Sequence, residues 1–348
     1  MRVSVLNRLR RVGGRIKTRL SRRALILLYH RVAETISDPW DLTVTPQHFA
    51  EHLQVLTKYG RVIPLGELSF AIESGSLRRR SVVVTFDDGY ADNLLNAKPL
   101  LERYDTPATV FIATGCVDEG REFWWDELDR LFLRAGRLPS ALSLSVRGNT
   151  YQWELGEAAE YGESSQHRNL KWRAWQEDSP SSRHALYRSL WQLLHPMAES
   201  ERRPIRDKLL KWAGAMAPAR PAHRALSSAE IVELARGGLV EIGCHTVTHP
   251  QLSALNAEQQ RDEIYLSKSR LEQILDRPVS SFAYPYGRDC DYTNDTVQLV
   301  QEAGFVCACS TAVGVARQHA DRFRLPRLQV QDMDGEAFAR LLSEWLCD

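Results

Sequence analysis

The six cysteines of this 348-residue chain (Cys116, Cys244, Cys290, Cys307, Cys309 and Cys347) include no pair in C-x-x-C spacing. Their scatter gives no sign of a zinc knuckle and demands no disulfide framework, so reduced thiols are the simpler reading. Long apolar runs are missing as well. The longest early one, Ala24 to Tyr29, is far shorter than the roughly 20 residues of a membrane-spanning helix and too short for the central region of a secretory signal. The expected compartment is therefore the cytoplasm. Neither an internal repeat nor a low-complexity tract is present, and 43% hydrophobic with 26% charged residues makes disorder, collagen and coiled coil poor fits. The length suits one large domain or two of ordinary size. One absence is local: residues 1 to 23 hold nine basic side chains and no acid, and the rest of the chain holds 36 basic and 44 acidic groups. A net charge of +1 thus conceals a basic arm on a mildly acidic body.

What is present is alternation. Apolar, β-branched runs bounded by turn signals recur at Ala24 to Tyr29, Ser81 to Phe86, Ala108 to Ala113, Leu239 to Cys244, Ser280 to Tyr284 and Phe305 to Ser310, each reading as a buried strand. Helical patterns lie between them. Thr45-Pro46 opens one through His48, Phe49, His52, Leu53 and Leu56, and Ala257 to Leu275 carries Ile264, Leu271, Ile274 and Leu275 on one stripe. Such alternation predicts a mostly parallel sheet, open or closed into a barrel. It is interrupted from about Arg121 to Ala225, where polar, helix-prone sequence holds seven of the nine tryptophans. That stretch is expected to be an inserted helical subdomain, with Ala215 to Ala225 as its return linker and Ser227 to Glu230 capping the next helix.

Two strand ends carry chemistry. Ser81 to Phe86 runs into Asp87-Asp88-Gly89-Tyr90, two adjacent carboxylates at the C-terminal edge of a parallel strand, where α/β sites lie. An Asp-Gly turn is the alternative. The strand ending at Gly243-Cys244 runs into His245-Thr246-Val247-Thr248-His249, two histidines spaced to converge on one metal. With an aspartate they make an Asp/His/His set with positions open to water and substrate.

The combination resembles the polysaccharide deacetylase family, the NodB-homology or carbohydrate esterase family 4 group. Its motif T-F-D-D-G is Thr85 to Gly89, H-[ST]-x-x-H is His245 to His249, and R-x-P-Y-G stands as Ala283-Tyr284-Pro285-Tyr286-Gly287. The resemblance implies a distorted (β/α) barrel of about seven parallel strands formed by 24–120 and 226–330, with the insertion at 121–225 and a C-terminal helix in 331–348. It makes Asp88, His245 and His249 the ligands of a divalent metal, zinc first with cobalt or nickel as alternatives. Asp87 becomes the general base toward the hydrolytic water, and the Tyr286 backbone N–H an oxyanion donor.

Two departures from the family pattern matter. The third-motif arginine that normally orients the catalytic aspartate is Ala283 here, and Arg327 is the candidate replacement, against a plain surface arginine. The C-terminal L-x-H histidine is absent, since no histidine follows His319. Exopolysaccharide-type members carry a Tyr-His pair at the end of the first strand, which makes His30, after Tyr29, the candidate general acid. Trp124 and Trp125 are expected in the core, or at the rim as sugar platforms.

The function so implied is removal of the N-acetyl group from an amino sugar of a polysaccharide, oligosaccharide or lipid-linked precursor. The alternatives are a deformylase of a lipid-linked amino sugar and a catalytically degenerate carbohydrate-binding protein. In the arm, Val5, Leu6, Leu9, Val12, Ile16 and Leu20 share one helical side among arginines, the pattern of a helix on the anionic inner face of a membrane, although Gly13-Gly14 weakens it. Nucleic acid is not expected as a partner, because the arm lacks aromatics and the body is acidic.

Overall fold

A computed structural model describes residues 22–175, 178–214 and 220–346. Seven parallel strands form its centre: β1 (Arg23–Tyr29), β2 (Ser81–Phe86), β3 (Ala108–Ile112), β4 (Val240–Cys244), β5 (Ser281–Ala283), β6 (Cys307–Cys309) and β7 (Leu328–Gln329). Their spatial order is β6-β5-β4-β3-β2-β1-β7, and the registers run Leu27↔Val84, Val84↔Ala108 and Ala108↔Val240. Two shorter strands flank them, Arg61–Val62 beside β2 and Ala316–Arg317 antiparallel to β1. The sheet curls back on itself: Ser310 N–H donates to the Leu325 carbonyl at 2.8 Å and Leu325 N–H to that of Ala308 at 3.0 Å. Three residues later β7 pairs with β1 through Leu27↔Leu328. This is the curled parallel sheet that the alternating pattern predicts.

Side chains on successive strand residues face opposite sides, and the packing follows that period. Leu25, Leu27, Val82, Val84, Val110 and Ile112 pack outward, against α1 (Pro46–Tyr59) among others, while Ala24, Ile26, Val83, Phe111, Ala283 and Cys309 form a separate inner cluster. The barrel interior is narrow at one point. A Cβ on Gly243 would meet the Phe111 ring at 2.4 Å, so β4 passes this ring only as glycine. The inward parity of Val83 and Gly243 continues past the strand ends to Asp87 and His245, which is why both reach the barrel mouth.

Helix α1 starts as the sequence predicts, with the Thr45 side chain accepting from His48 N–H and Pro46 as its first residue. The insertion builds its own core around Trp124, Leu128, Phe132, Leu186, Tyr187, Leu190 and Leu209, from α2 (Trp124–Phe132), α3 (Ser182–Leu194) and α4 (Glu199–Trp212). One feature there was not anticipated: Ala141–Val146 and Asn149–Glu154 pair as an antiparallel hairpin. Its signal is strict alternation, with Leu142, Leu144 and Val146 buried between exposed neighbours, closed by Arg147-Gly148, both at positive φ as a two-residue hairpin turn requires. The return passes into α5 (Ser228–Ala235), where Ser227 and Glu230 form the expected capping box. Then come α6 (Ala257–Leu275) and the C-terminal α7 (Gly335–Leu346). The arm, 1–23, lies outside the described residues except for Arg22 and Arg23, and Arg23 already belongs to β1. Among the described residues no helix is long and apolar enough to cross a membrane.

Candidate metal centre and its carboxylate

Asp87 and Asp88 leave β2 in a turn whose second residue is left-handed (Asp88 φ 74°), followed by Gly89 at φ 80°. The reversal sends the two carboxylates to different partners. His245, directly after β4, places Nδ1 2.7 Å from the Ala283 carbonyl oxygen. Donation there fixes its tautomer and frees Nε2 to face the site. That Nε2 lies 3.6 Å from Asp88 Oδ1, and His249 Nε2 lies 3.4 Å from the same oxygen. One ligand atom from each of Asp88, His245 and His249 falls within 4.8 Å of the other two, and all three residues are buried.

The second-motif loop is strained and clasped. Thr246 (φ 66°) and His249 (φ 54°) are left-handed, an arrangement that costs about 1 kcal/mol or more per non-glycine residue and persists only where neighbours enforce it. Glu263 of α6 enforces it here: its carboxylate accepts from Val247 N–H (2.8 Å), Thr248 N–H (2.8 Å) and Thr248 Oγ1 (2.5 Å). Thr246 Oγ1 accepts from His249 N–H at 3.1 Å, which closes the turn.

Asp87 has a different environment. Arg327 lies 1% exposed, and its Nη1 and Nη2 donate to Asp87 Oδ1 and Oδ2 at 2.7 Å each, while Nε donates to the Ser310 carbonyl at 2.8 Å. Burial alone would raise the Asp87 pKa, but the Arg327 charge and its paired hydrogen bonds hold it below the usual carboxylate value. Asp88 moves the other way: burial, then the negative charges of Asp87 and Asp126, push it well up. Burial and the neighbouring His245 keep His249 neutral. Asp88 Oδ1 and His249 Nδ1 have no hydrogen-bond partner. A buried carboxylate oxygen facing two imidazole nitrogens, with no hydrogen bond of its own, fits a divalent metal. The mixed N/O donor set suits zinc, cobalt or nickel.

The remaining candidates surround this centre. His30, half-buried after β1, lies in the field of Asp87, Arg327 and His245, and burial lowers its pKa to about 4. Tyr286 is left-handed (φ 58°), and its ring lies 4.6 Å from that of His249. Three contacts were not anticipated, and all come from the insertion. The buried Trp125 ring is 4.8 Å from His249, with its Nε1–H donating to Tyr90 OH at 2.8 Å. His195, at the end of α3, sits 4.0 Å from the Tyr286 ring. Arg202 of α4 donates through Nη2 to the Thr248 carbonyl at 3.0 Å, inside the metal loop. None of these has a motif; only Trp125 carried a hint, as a tryptophan next to the expected rim. Cys244 is a buried strand residue, as expected, and is not among the three metal-facing side chains.

The family model for polysaccharide deacetylases matches residues 74–136 and 211–308, segments that hold Asp87, Asp88, His245 and His249 but not His30 or Arg327. The chain matches the polysaccharide deacetylase family over these two segments. That match supports a hydrolase of the N-deacetylase class. It is 21% identical over 326 residues to YxkH of Bacillus subtilis (strain 168), a protein assigned to the polysaccharide deacetylases, covering 93% of this chain and 77% of that one. Its fold is similar to that of the Streptococcus pyogenes deacetylase PplD, solved with acetate (TM-score 0.57, 18% identity, 92% of this chain and 99% of that one). It is also similar to IcaB from Ammonifex degensii (TM-score 0.55, 16% identity, 92% and 96%). The middle of the insertion, 137–210, falls in the gap between the two segments of the family match.

Proposed function

We propose that this protein hydrolyses the N-acetyl group of an amino sugar within a polysaccharide, oligosaccharide or lipid-linked glycan precursor, using a divalent metal held by Asp88, His245 and His249. The observation that carries the reading is the Arg327–Asp87 pair, 2.7 Å in both arms, beside that triad. A metal there would polarise the amide carbonyl and acidify the attacking water. Asp87 accepts the water's proton, kept ionised and oriented by Arg327, which does the work of the arginine replaced by Ala283. The Tyr286 backbone N–H donates to the developing oxyanion. His30 is neutral near pH 7, so it delivers a proton to the departing amine only after receiving one, and the negative charge of Asp87 favours that protonated form. The acetate bound in the PplD structure favours acetyl over formyl as the group removed. We place the body in the cytoplasm, with residues 1–23 bringing it to an anionic membrane surface that presents lipid-linked glycans.

The test is Asp87→Asn. Turnover should fall to background while stoichiometric zinc remains bound; retained acetate release would remove Asp87 as the base. Acetate against formate release from matched substrates separates deacetylase from deformylase. His30→Ala should slow amine release, and rates unchanged at every pH would eliminate His30 as the acid.

A further inference from the structure

The two histidines of the metal centre are oriented by different means. His245 is turned by a hydrogen bond, from Nδ1 to the Ala283 carbonyl oxygen at 2.7 Å. His249 has no counterpart, because its Nδ1 is buried without a hydrogen-bond partner among the described residues. A ligand imidazole ordinarily gives that nitrogen to a carboxylate, a carbonyl or water, and the bond sets the direction of the ring. The Glu263 clasp holds the backbone of this loop and leaves the His249 ring its own rotation. What surrounds that ring is aromatic. Its centroid lies 4.6 Å from that of Tyr286, 4.8 Å from that of His245 and 4.8 Å from that of Trp125. Tyr286 and His245 belong to the barrel, and Trp125 is the contribution of the insertion.

Trp125 is itself tightly fixed. Its ring lies parallel to that of Phe123, 4.8 Å away at an interplanar angle of 5°, and the Trp124 ring meets it edge-on at 5.6 Å. An indole N–H only donates, so the 2.8 Å contact of Nε1 with Tyr90 makes the phenol oxygen the acceptor. The phenol proton then goes to Asp126 Oδ2, 2.7 Å away. On the barrel side the Arg31 guanidinium stands 4.6 Å over the Tyr90 ring and donates through Nε to Asp92 at 3.0 Å. Trp125, Tyr90 and Asp126 are all buried, and a fully satisfied buried network is rigid. Tyr90 also stands two residues after Asp88, on the turn that presents that carboxylate. One hydrogen-bonded chain thus connects the turn carrying one metal-facing residue to the ring packed against another.

We propose that Trp125 is a positioning residue for the metal: its indole, fixed through Tyr90 and Asp126, holds the His249 imidazole at the angle that turns Nε2 toward Asp88 Oδ1, 3.4 Å away. Packing here does for His249 what the Ala283 carbonyl does for His245. The role rests on the reading of Asp88, His245 and His249 as metal ligands, and deepens it by giving the inserted subdomain a part in building the site.

The test is titration of cobalt(II) into the chelated full chain, followed by its visible absorption bands, which report coordination geometry, with chelator competition for the affinity. Trp125→Leu should lower cobalt affinity about tenfold or more and alter the bands. Trp125→Phe and Tyr90→Phe each remove the indole–phenol hydrogen bond while keeping a ring, so each should lower affinity severalfold with a smaller change in the bands. The double variant should lose no more than the weaker of the two singles, because there is one bond to lose. Should Trp125→Leu fail to fold, the phenylalanine variants carry the test. Bands identical to those of the unsubstituted protein in every folded variant would overturn the positioning role, whatever the affinities. So would additive losses in the double variant. An unsubstituted protein that binds no cobalt would instead remove the metal reading, and this role with it.

Discussion

At the level of single residues, Asp87 and Arg327 are 240 positions apart in the chain yet form the tightest ion pair at the site. Both are buried, so removing one charge leaves the other without water or partner. Arg327→Met and Asp87→Asn should each cost about 3–5 kcal/mol of stability. The double variant should cost clearly less than their sum, because the penalty of each is the orphaned charge of the other. Urea unfolding of the four proteins checks this, and strictly additive losses would show that the pair is not coupled. The motif residues were legible because strand parity and turn residues are local: Thr85, Asp87 and Asp88 follow a β-branched run, and His245 and His249 follow another. Arg327 was legible only as one of two readings, since nothing near Leu325-Pro326-Arg327 records that its guanidinium turns inward over Phe111 toward Asp87. Trp125 was legible only as core or rim, and His195 and Arg202 were not legible as site residues, because they reach the site through the packing of the insertion and through no spacing of their own.

Among the elements, α6 does more than cover the sheet. Glu263 holds the loop that presents His249 in a left-handed conformation, so Glu263→Gln should leave the fold intact and weaken zinc binding by about tenfold or more. Chelator competition measures it, and unchanged affinity would reduce the clasp to a structural detail. The C-terminal helix α7 docks through His52 of α1, whose ring stacks on Phe338 at 4.1 Å and whose Nε2 bonds the Met333 carbonyl at 2.8 Å. Burial lowers the His52 pKa to about 4, below its value of about 6.5 in an unfolded chain. The unfolded state therefore binds the proton first. The contribution of neutral His52 is complete above about pH 6.5 and is lost as pH falls toward 4. Replacing His52 with Gln should flatten the loss of urea midpoint between pH 7 and 5, and an unaltered slope would place the sensitivity elsewhere. The capping boxes at Ser227 and Asn256 show how fully helix starts can be read from sequence. The hairpin at Ala141–Glu154 shows the converse: its period of two was written plainly, but tryptophan-rich and charged flanks drew the whole region toward a helical reading.

For the whole molecule, the barrel and the insertion divide the labour. The barrel mouth brings together Asp87, Asp88, His245, His249 and Arg327, and the insertion adds the Trp125 and His195 rings and the Arg202 guanidinium beside them. The charge asymmetry of the chain belongs to this scale too. Deleting residues 1–21 should reduce binding to anionic vesicles without lowering hydrolysis of a soluble substrate, and unaltered vesicle binding would exclude the arm as an anchor. Metal binding to the native triad alone should raise stability by about 2.7 kcal/mol at a hundredfold excess over the dissociation constant, and Asp88→Asn should remove most of that gain. The most direct measurement is acetate released from an N-acetylated oligosaccharide as zinc is titrated into chelated, metal-free protein. Acetate release should rise from background and saturate at one equivalent of zinc, with no rise in Asp88→Asn. Full acetate release from the metal-free protein, or none at any zinc concentration with glycan bound, would contradict metal-dependent deacetylation by this site.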